Sequence, residues 1–190
     1  MSLQIILIVI FLIAFFWFYL MYVGLIKKKN KALEAFSCVD VQLKKRYDLL
    51  PNIISIAKGY MEYEKALFEQ ITKLRAQAMQ IVGNEENIHK KLTLNAELSD
   101  KLTRLFATFE NYPQLKADKT MVLTMQTFSE VEEHIAAARR FYNSAVNELN
   151  NAVQIFPSSI IASLINIKTF EFFKAEEFEK VNINASEYLK

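Results

Sequence analysis

The one pairing in this sequence with the spacing of a metal site is Glu86 and His89, which read Glu-x-x-His. Di-iron helical bundles use two such motifs together with two further glutamates. The second histidine, His134, has Val131 three positions before it, so the second motif is missing. The sequence also contains no Ser/His/Asp set, glycine-rich phosphate loop or Cys-x-x-Cys pair. It therefore predicts no catalytic residues, no metal site and no cofactor.

Two charged residues, Arg46 and Glu64, fall at positions that a helical repeat assigns to a buried face. A buried charge costs several kcal/mol unless it is paired and hydrogen-bonded. About 27 Å of helix would separate the two, so each requires a partner from another helix. The buried polar network that we predict contains Arg46, Glu64, Glu132, Arg139 and Asn143. It is either a functional polar site or, as we favour, a structural pairing that fixes helix register or lets long side chains snorkel at the bundle edge.

The elements that position these residues are helices. Apolar residues spaced alternately three and four apart run from Phe36 to Ile81, which predicts one long, heptad-like helical face. Pro51 lies between two positions of this repeat and should kink the helix or begin a new one. Gly83-Asn84 should end it, because glycine is favoured just past a helix C-terminus.

Three further helices are predicted. The second should run from about Ile88 to Phe109 and stop at the break over residues 110–113. The third should begin after Asp118 as N-cap and end at Phe156-Pro157. The fourth, capped by one of the two serines that follow, should carry Ile160, Ile161, Leu164, Ile167 and Phe170. With three glycines and three prolines in 190 residues, the predicted fold class is all-α: an N-terminal transmembrane helix followed by an antiparallel four-helix bundle.

A transmembrane helix is predicted over residues 5–26, which form a run without a charged side chain. Its length of about 33 Å exceeds the hydrocarbon core of about 30 Å. A cleaved signal peptide would have a basic start, a shorter core and a small-x-small cleavage site. A lipoprotein would place its cysteine directly after the core, whereas Cys38 lies beyond the lysines that follow. A buried core helix is rarely apolar on every face, so we predict a retained anchor.

A basic membrane flank follows the anchor at residues 27–31, formed by Lys27, Lys28, Lys29 and Lys31. The positive-inside rule places the bundle in the cytoplasm and residues 1–4 outside, with an external bundle as the alternative. No proline or loop composition separates the anchor from the first bundle helix, so we predict one continuous helix from the membrane to Pro51.

The body of the protein is weakly acidic. Four of the 23 basic residues lie in the flank and all 21 acidic residues lie in the body, whose net charge is therefore −2. This charge argues against a nucleic-acid partner. The bundle should occupy residues 32–176, and the charged, Asn-rich tail over 177–190 should fray. Near the end of the bundle, Phe170, Phe172 and Phe173 form a candidate partner surface, although packing on the bundle is the favoured explanation.

Three motifs in this sequence resemble those of the LemA family. They are residues 46–53 with 58–60 and Glu64, residues 110–115, and residues 135–143 with Asn150 and Phe156-Pro157. Tyr63 stands where a histidine is common in the family, and Ile165-Asn166-Ile167 replaces a turn that contains glycine. The resemblance implies a membrane-anchored bacterial protein with an antiparallel helical bundle and no established enzymatic activity.

Three functional hypotheses follow. The leading one is a non-enzymatic, single-pass interaction or scaffold protein of the bacterial cytoplasmic (inner) membrane. The second is an oligomeric protein that organises or remodels the membrane through the anchor, the lysine flank and the apolar C-terminal helix. The third, which we consider weakest, is a metal-binding or enzymatic bundle built on Arg46, Glu64 and nearby charges. The expected partners are the lipid bilayer, a second copy of the chain and an unidentified membrane or cytoplasmic protein.

Overall fold

The structure is a computed structural model that describes residues 3–173 of the chain. Over these residues it contains helices and no β-strand, which confirms the predicted all-α class. The elements are α1 (Leu3–Lys58), α2 (Lys65–Gln80), a 3-10 turn (Glu85–Asn87), α3 (Ile88–Phe109), α4 (Pro113–Ala117), α5 (Lys119–Gln154) and α6 (Ser158–Leu164). The predicted tail over 177–190 lies outside the described residues, as do the last three residues of the predicted bundle.

The described residues divide into two compact units, and α1 and α5 contribute to both. Unit 1 consists of residues 3–43 and 133–172. Within it α1 and α5 run antiparallel, because Lys31 contacts Glu148 while Phe36, further along α1, contacts Tyr142, which is earlier in α5.

Unit 2 consists of residues 44–132 and Phe173. An antiparallel course is again visible here, since Arg46 contacts Glu132 and Tyr60 contacts Asp118. The four-helix arrangement stays a prediction, because the residues that the structure describes form six α-helices, two of them only one or two turns long.

Helix α1 carries the predicted membrane span, the lysine flank and the first bundle segment without interruption. The prediction of a continuous helix up to Pro51 is confirmed, and the helix passes through the proline to Lys58 instead of starting anew. Among residues 3–173 it is the one helix long and apolar enough to cross a membrane, by length and composition. Residues 3–20 are exposed and Leu25 is buried, so within residues 3–173 the rest of the chain covers only the end of the span.

Pro51 is accommodated by an arginine from another helix. Proline has no backbone N–H, so the carbonyl oxygen of Tyr47, four residues earlier, lacks its usual helical partner. Arg75 on α2 donates its Nε–H to this oxygen at 2.6 Å. The contact satisfies a carbonyl that would otherwise be left unpaired, which explains why α1 continues through the proline.

The end of α1 comes earlier than the repeat predicts. The backbone N–H groups of Gly59 and Tyr60 bond to the carbonyls three residues before them, which tightens the last turn. A turn over residues 59–64 then separates α1 from α2. The predicted unbroken face from Phe36 to Ile81 is therefore wrong beyond residue 57, although the earlier positions are all buried: Phe36, Val39, Leu43, Arg46, Leu50, Ile53 and Ala57.

The boundaries of the later helices follow local signals. Helix α3 has the predicted bounds, and Asp118 caps α5 as predicted, accepting a hydrogen bond from the Met121 N–H at 2.9 Å. Helix α5 ends two residues before the predicted stop at Phe156. The one-turn helix α4, which starts at Pro113, was not predicted.

Helix α6 is shorter than predicted and ends in a Schellman motif. The Ile167 N–H bonds to the Ala162 carbonyl at 2.9 Å and the Asn166 N–H bonds to the Ser163 carbonyl at 3.3 Å. Asn166 has φ 55°, so it occupies the left-handed position that glycine usually fills. Ile167 and Phe170 consequently lie beyond the helix. The predicted serine cap at its start is wrong, because Pro157 is the N-cap and no side chain caps the helix.

Candidate functional site

Arg46 lies at the centre of a polar cluster inside unit 2. Its side chain is 2% exposed and projects from α1. The Nη2 group donates to Ser99 Oγ on α3 at 2.8 Å, and Nε lies 3.1 Å from Glu132 Oε1 on α5. One guanidinium group thus connects three helices. The planar fork of arginine suits this task, because its donors point in fixed directions.

The cluster follows from the spacing of α1. Arg46 falls between Leu43 and Leu50 on the buried face, so packing that face carries the charge inward. Removing a charge from water costs several kcal/mol, and a close carboxylate with a further hydrogen bond offsets that cost. Glu132, which is half-buried, supplies the carboxylate. The arrangement can therefore hold α1, α3 and α5 in one register.

A stripe of polar residues on α3 belongs to the same buried region and was missed by the sequence analysis. Lys91, Asn95 and Ser99 are four residues apart and all buried. The Lys91 ammonium group donates to the carbonyl of Ile81 at the C-terminus of α2, 3.1 Å away, where a positive charge is favourable. The four-residue spacing was a possible signal, but the same spacing is typical of a solvent-facing stripe.

Asn95 is the exception within this stripe. It is fully buried, and its amide oxygen and nitrogen make no hydrogen bond to any part of the chain that the structure describes. An unsatisfied buried amide costs roughly 1–3 kcal/mol. Leucine at this position would fit the apolar pattern of α3.

The remaining members of the predicted network are Glu64, Arg139 and Asn143. Glu64 is half-buried in the turn before α2, where its side chain makes no capping hydrogen bond, so its predicted core position in a helix is wrong. The three- and four-residue repeat continues in sequence across the turn over residues 59–64, where the helix has ended. Arg139 is buried and Asn143 is half-buried, and both belong to unit 1, whereas Arg46 and Glu132 belong to unit 2.

A second polar contact in unit 2 joins the turn after α1 to the start of α5. The Tyr60 hydroxyl donates to Asp118 Oδ2 at 2.9 Å, while Oδ1 of the same carboxylate caps α5 through Met121. The backbone N–H of Met121, with help from Tyr60, lowers the pKa of Asp118. In return, the hydrogen bond to the carboxylate raises the pKa of Tyr60.

The candidate partner surface is corrected by the structure. Phe170 and Phe173 are buried, and of the three phenylalanines only Phe172 is exposed. In unit 1, Asn150 pairs with the backbone of Phe170 in both directions, its Nδ2 donating to the carbonyl and its Oδ1 accepting from the N–H, each at 2.9 Å. The Tyr142 hydroxyl donates to the carbonyl of Glu171 at 2.9 Å, and burial raises the pKa of that tyrosine. These contacts hold the segment after α6 against α5.

The basic flank is partly engaged within unit 1. Lys31 forms an ion pair with Glu148 on α5 at 2.8 Å, and this hydrogen bond lowers the pKa of Glu148. Lys27 is exposed, whereas Lys28 and Lys29 are half-buried.

The Glu86 and His89 pair does not form a site in the structure. Both side chains are exposed, at the 3-10 turn and the first turn of α3. Within residues 3–173, no group of three or more His, Cys, Asp or Glu side chains is placed to hold a metal ion.

The amino-acid sequence of this chain is similar to those of known proteins. The sequence model of the LemA family matches residues 35–185. Protein LemA of Metamycoplasma hominis is 26% identical over 174 residues, which cover 90% of this chain and 78% of that protein. Magnetosome protein MamQ 2 of Paramagnetospirillum magneticum is 22% identical over 157 residues, 71% of this chain and 58% of that protein. Magnetosome protein MamQ of Magnetospirillum gryphiswaldense is 22% identical over 156 residues, 70% of this chain and 57% of that protein. The chain thus spans less than two thirds of either magnetosome protein.

Proposed function

Because the chain belongs to the LemA family, whose model covers most of it, we propose that it is a membrane-anchored, non-enzymatic interaction or scaffold protein of the bacterial cytoplasmic membrane. In this role α1 holds the helical body at the bilayer, and exposed surfaces of the body bind a second copy or another protein. The polar cluster around Arg46 serves the fold, since its guanidinium group donates a hydrogen bond to Ser99 and forms an ion pair with Glu132.

The observation that carries the proposal is the continuity of α1. Its exposed apolar residues 3–20 pass into the buried face that begins at Leu25 without a helix break. A continuous helix transmits position and orientation, because each residue is fixed to the next by backbone hydrogen bonds. This supports a protein that presents a surface at a set height above the membrane.

The orientation that we propose, with the body in the cytoplasm, can be tested with the natural cysteine. Cys38 is the sole cysteine, is exposed, and lies just past the lysine flank. A membrane-impermeant maleimide should label it only after the cells are permeabilised. The Cys38→Ser variant is the negative control, because it contains no cysteine. When Ser2→Cys is added to this variant, the new cysteine should be labelled in intact cells. Labelling of Cys38 in intact cells would reverse the orientation.

The scaffold role is tested by making the helix flexible at the flank. We would insert seven glycines after Asn30, and compare them with seven alanines, which keep the helix and its phase over two turns. A photo-reactive side chain at the exposed Val82 reports partners in living cells. The natural chain and the alanine variant should give the same cross-linked adduct in similar yield, and the glycine variant should give less of it. Equal cross-linking in all three chains would refute the role of a rigid helix, and no adduct from the natural chain would refute the scaffold proposal.

A further inference from the structure

An exposed apolar surface lies where α5 ends and α6 begins. It consists of Ile155, Phe156, Ile160 and Leu164, and we call it the corner surface; Phe156 and Leu164 are 73% and 71% exposed. The opposite side of α6 is buried through Ile161 and Ala162. The corner surface therefore projects away from the core of unit 1, and large apolar side chains grouped in this way mark a binding surface.

The register between α1 and α5 gives the height of this surface. Lys31 contacts Glu148 within unit 1, and the two helices run antiparallel there. Ile155 lies seven residues beyond Glu148, and its N–H still bonds to the carbonyl of Asn151 in helical fashion. Seven residues in the opposite direction from Lys31 lead to Gly24. Along each helix seven residues span about 10 Å, from Glu148 on α5 to Ile155 and from Lys31 to Gly24 on α1. Ile155 therefore lies level with Gly24.

This level lies inside the predicted membrane span. Gly24 belongs to the apolar run over residues 5–26 and precedes the first lysine, Lys27, by three residues, or about 4.5 Å of helix. At Ile155 the corner surface thus reaches past the lysine flank to the apolar side of the membrane boundary.

The charge of this part of the chain agrees with such a position. Residues 149–170 contain no aspartate or glutamate, and their one charged side chain is Lys168. A carboxylate at this depth would be strongly unfavourable, whereas lysines at the boundary are attracted to anionic lipid headgroups. Serine and asparagine are the main polar residues that remain.

We infer that the corner surface inserts into the interfacial layer of the same bilayer that α1 spans. Its occupant is lipid, and the body contacts the membrane at two places: through α1 and through the turn between α5 and α6. The inference rests on the proposed anchoring by α1. Two points of attachment would also fix the rotation of the body about α1, which one helix does not.

The test uses the full chain in vesicles of phosphatidylethanolamine and phosphatidylglycerol, with or without brominated acyl chains, which quench nearby fluorophores. Trp17, the sole tryptophan, reports on the anchor in the unlabelled protein. An environment-sensitive fluorophore is attached separately at Ile155→Cys and Leu164→Cys, each combined with Cys38→Ser. The matched control is Val41→Cys, an exposed apolar position on α1 about 22 Å beyond the span.

Brominated lipid should quench the fluorophore at positions 155 and 164, with a blue-shifted emission, and leave position 41 unchanged. If Trp17 is quenched while 155 and 164 behave like 41, the inference is overturned and the anchor stands. Fluorophores at 155 and 164 that are shielded from aqueous iodide but insensitive to brominated lipid would overturn it in favour of a protein partner, such as a second copy. An unquenched Trp17 would overturn both the anchor and the inference.

Discussion

The contact between Arg75 and the carbonyl of Tyr47 should stabilise the protein mainly because Pro51 is present. Arg75 Nε lies 2.6 Å from that oxygen, and the side chain is half-buried. Hydrogen bonds to charged groups contribute about 1.5–3 kcal/mol, and partial exposure places this one near the lower end. Arg75→Met should therefore lower the free energy of unfolding by about 1.5 kcal/mol, or the midpoint temperature by roughly 3–6 °C for a chain of this size.

Pro51→Ala restores a backbone N–H that can donate to the same oxygen. In that background Arg75→Met should cost only about 0.5 kcal/mol, which gives a coupling energy of about 1 kcal/mol between the two sites. The assay is thermal unfolding of the full chain in detergent, followed by circular dichroism for the four members of the cycle.

An exposed arginine provides the control for the cycle. Arg104 on α3 is paired with Asp100 at 3.2 Å, four residues away. Its replacement by methionine should cost at most about 0.5 kcal/mol in either background. Equal losses for Arg75→Met with proline and with alanine at position 51 would refute the explanation of how α1 passes through the proline.

Four further predictions concern single groups. Asn95→Leu should raise the free energy of unfolding by about 1–2 kcal/mol, because it removes an unsatisfied amide; a loss of stability would show that the amide is satisfied in solution. Arg46→Leu should cost about 3 kcal/mol, and adding Glu132→Leu should recover part of it; if the double variant loses the sum of both single losses, the pairing is not the cause. In thermal unfolding, Asn166→Val should lower the free energy of unfolding by about 1–2 kcal/mol, whereas Asn166→Gly should not. Equal losses of stability for the two variants would contradict the left-handed conformation of Asn166. The folded-state pKa of Asp118 is lowered, so the stability that this carboxylate contributes is present above the ordinary aspartate pKa and is lost as the pH falls through its folded-state pKa. Asp118→Asn should therefore reduce the loss of stability at acid pH. An unchanged plot of stability against pH would contradict the role given to Asp118.

The helices that sequence analysis located correctly are those with local start and stop signals. Helix α3 is bounded by the Gly83-Asn84 break and the Pro113 break, and α5 begins at the Asp118 cap. Arg46 was also found, because an apolar repeat on each side makes a charge in its register conspicuous. Its partner Glu132 was one of several charged or polar residues beside the apolar stripe of α5 that could pair with it. These inferences depend on residues within a few turns of one another.

The errors share one physical origin. Glu64 was placed in a helix because a repeat of three and four residues can continue in sequence across a turn that ends the helix. Asn95 and Ser99 were missed because a polar stripe on an isolated helix is typical of a solvated face, and only packing turned that stripe inward. Both cases require knowing which helix covers which face.

The amino-acid sequence by itself determined the apolar span, its lysine flank and their continuity with the first bundle helix, since charge, hydropathy and the lack of helix breakers are local properties. Tertiary structure alone decided which apolar residues near the C-terminus are covered. Asn150 draws the backbone of Phe170 against α5 and buries that side chain, while the end of α5 leaves Ile155 and Phe156 exposed. Side chains of equal hydrophobicity are thus divided between core and surface, because burial depends on contacts between segments that are distant in sequence.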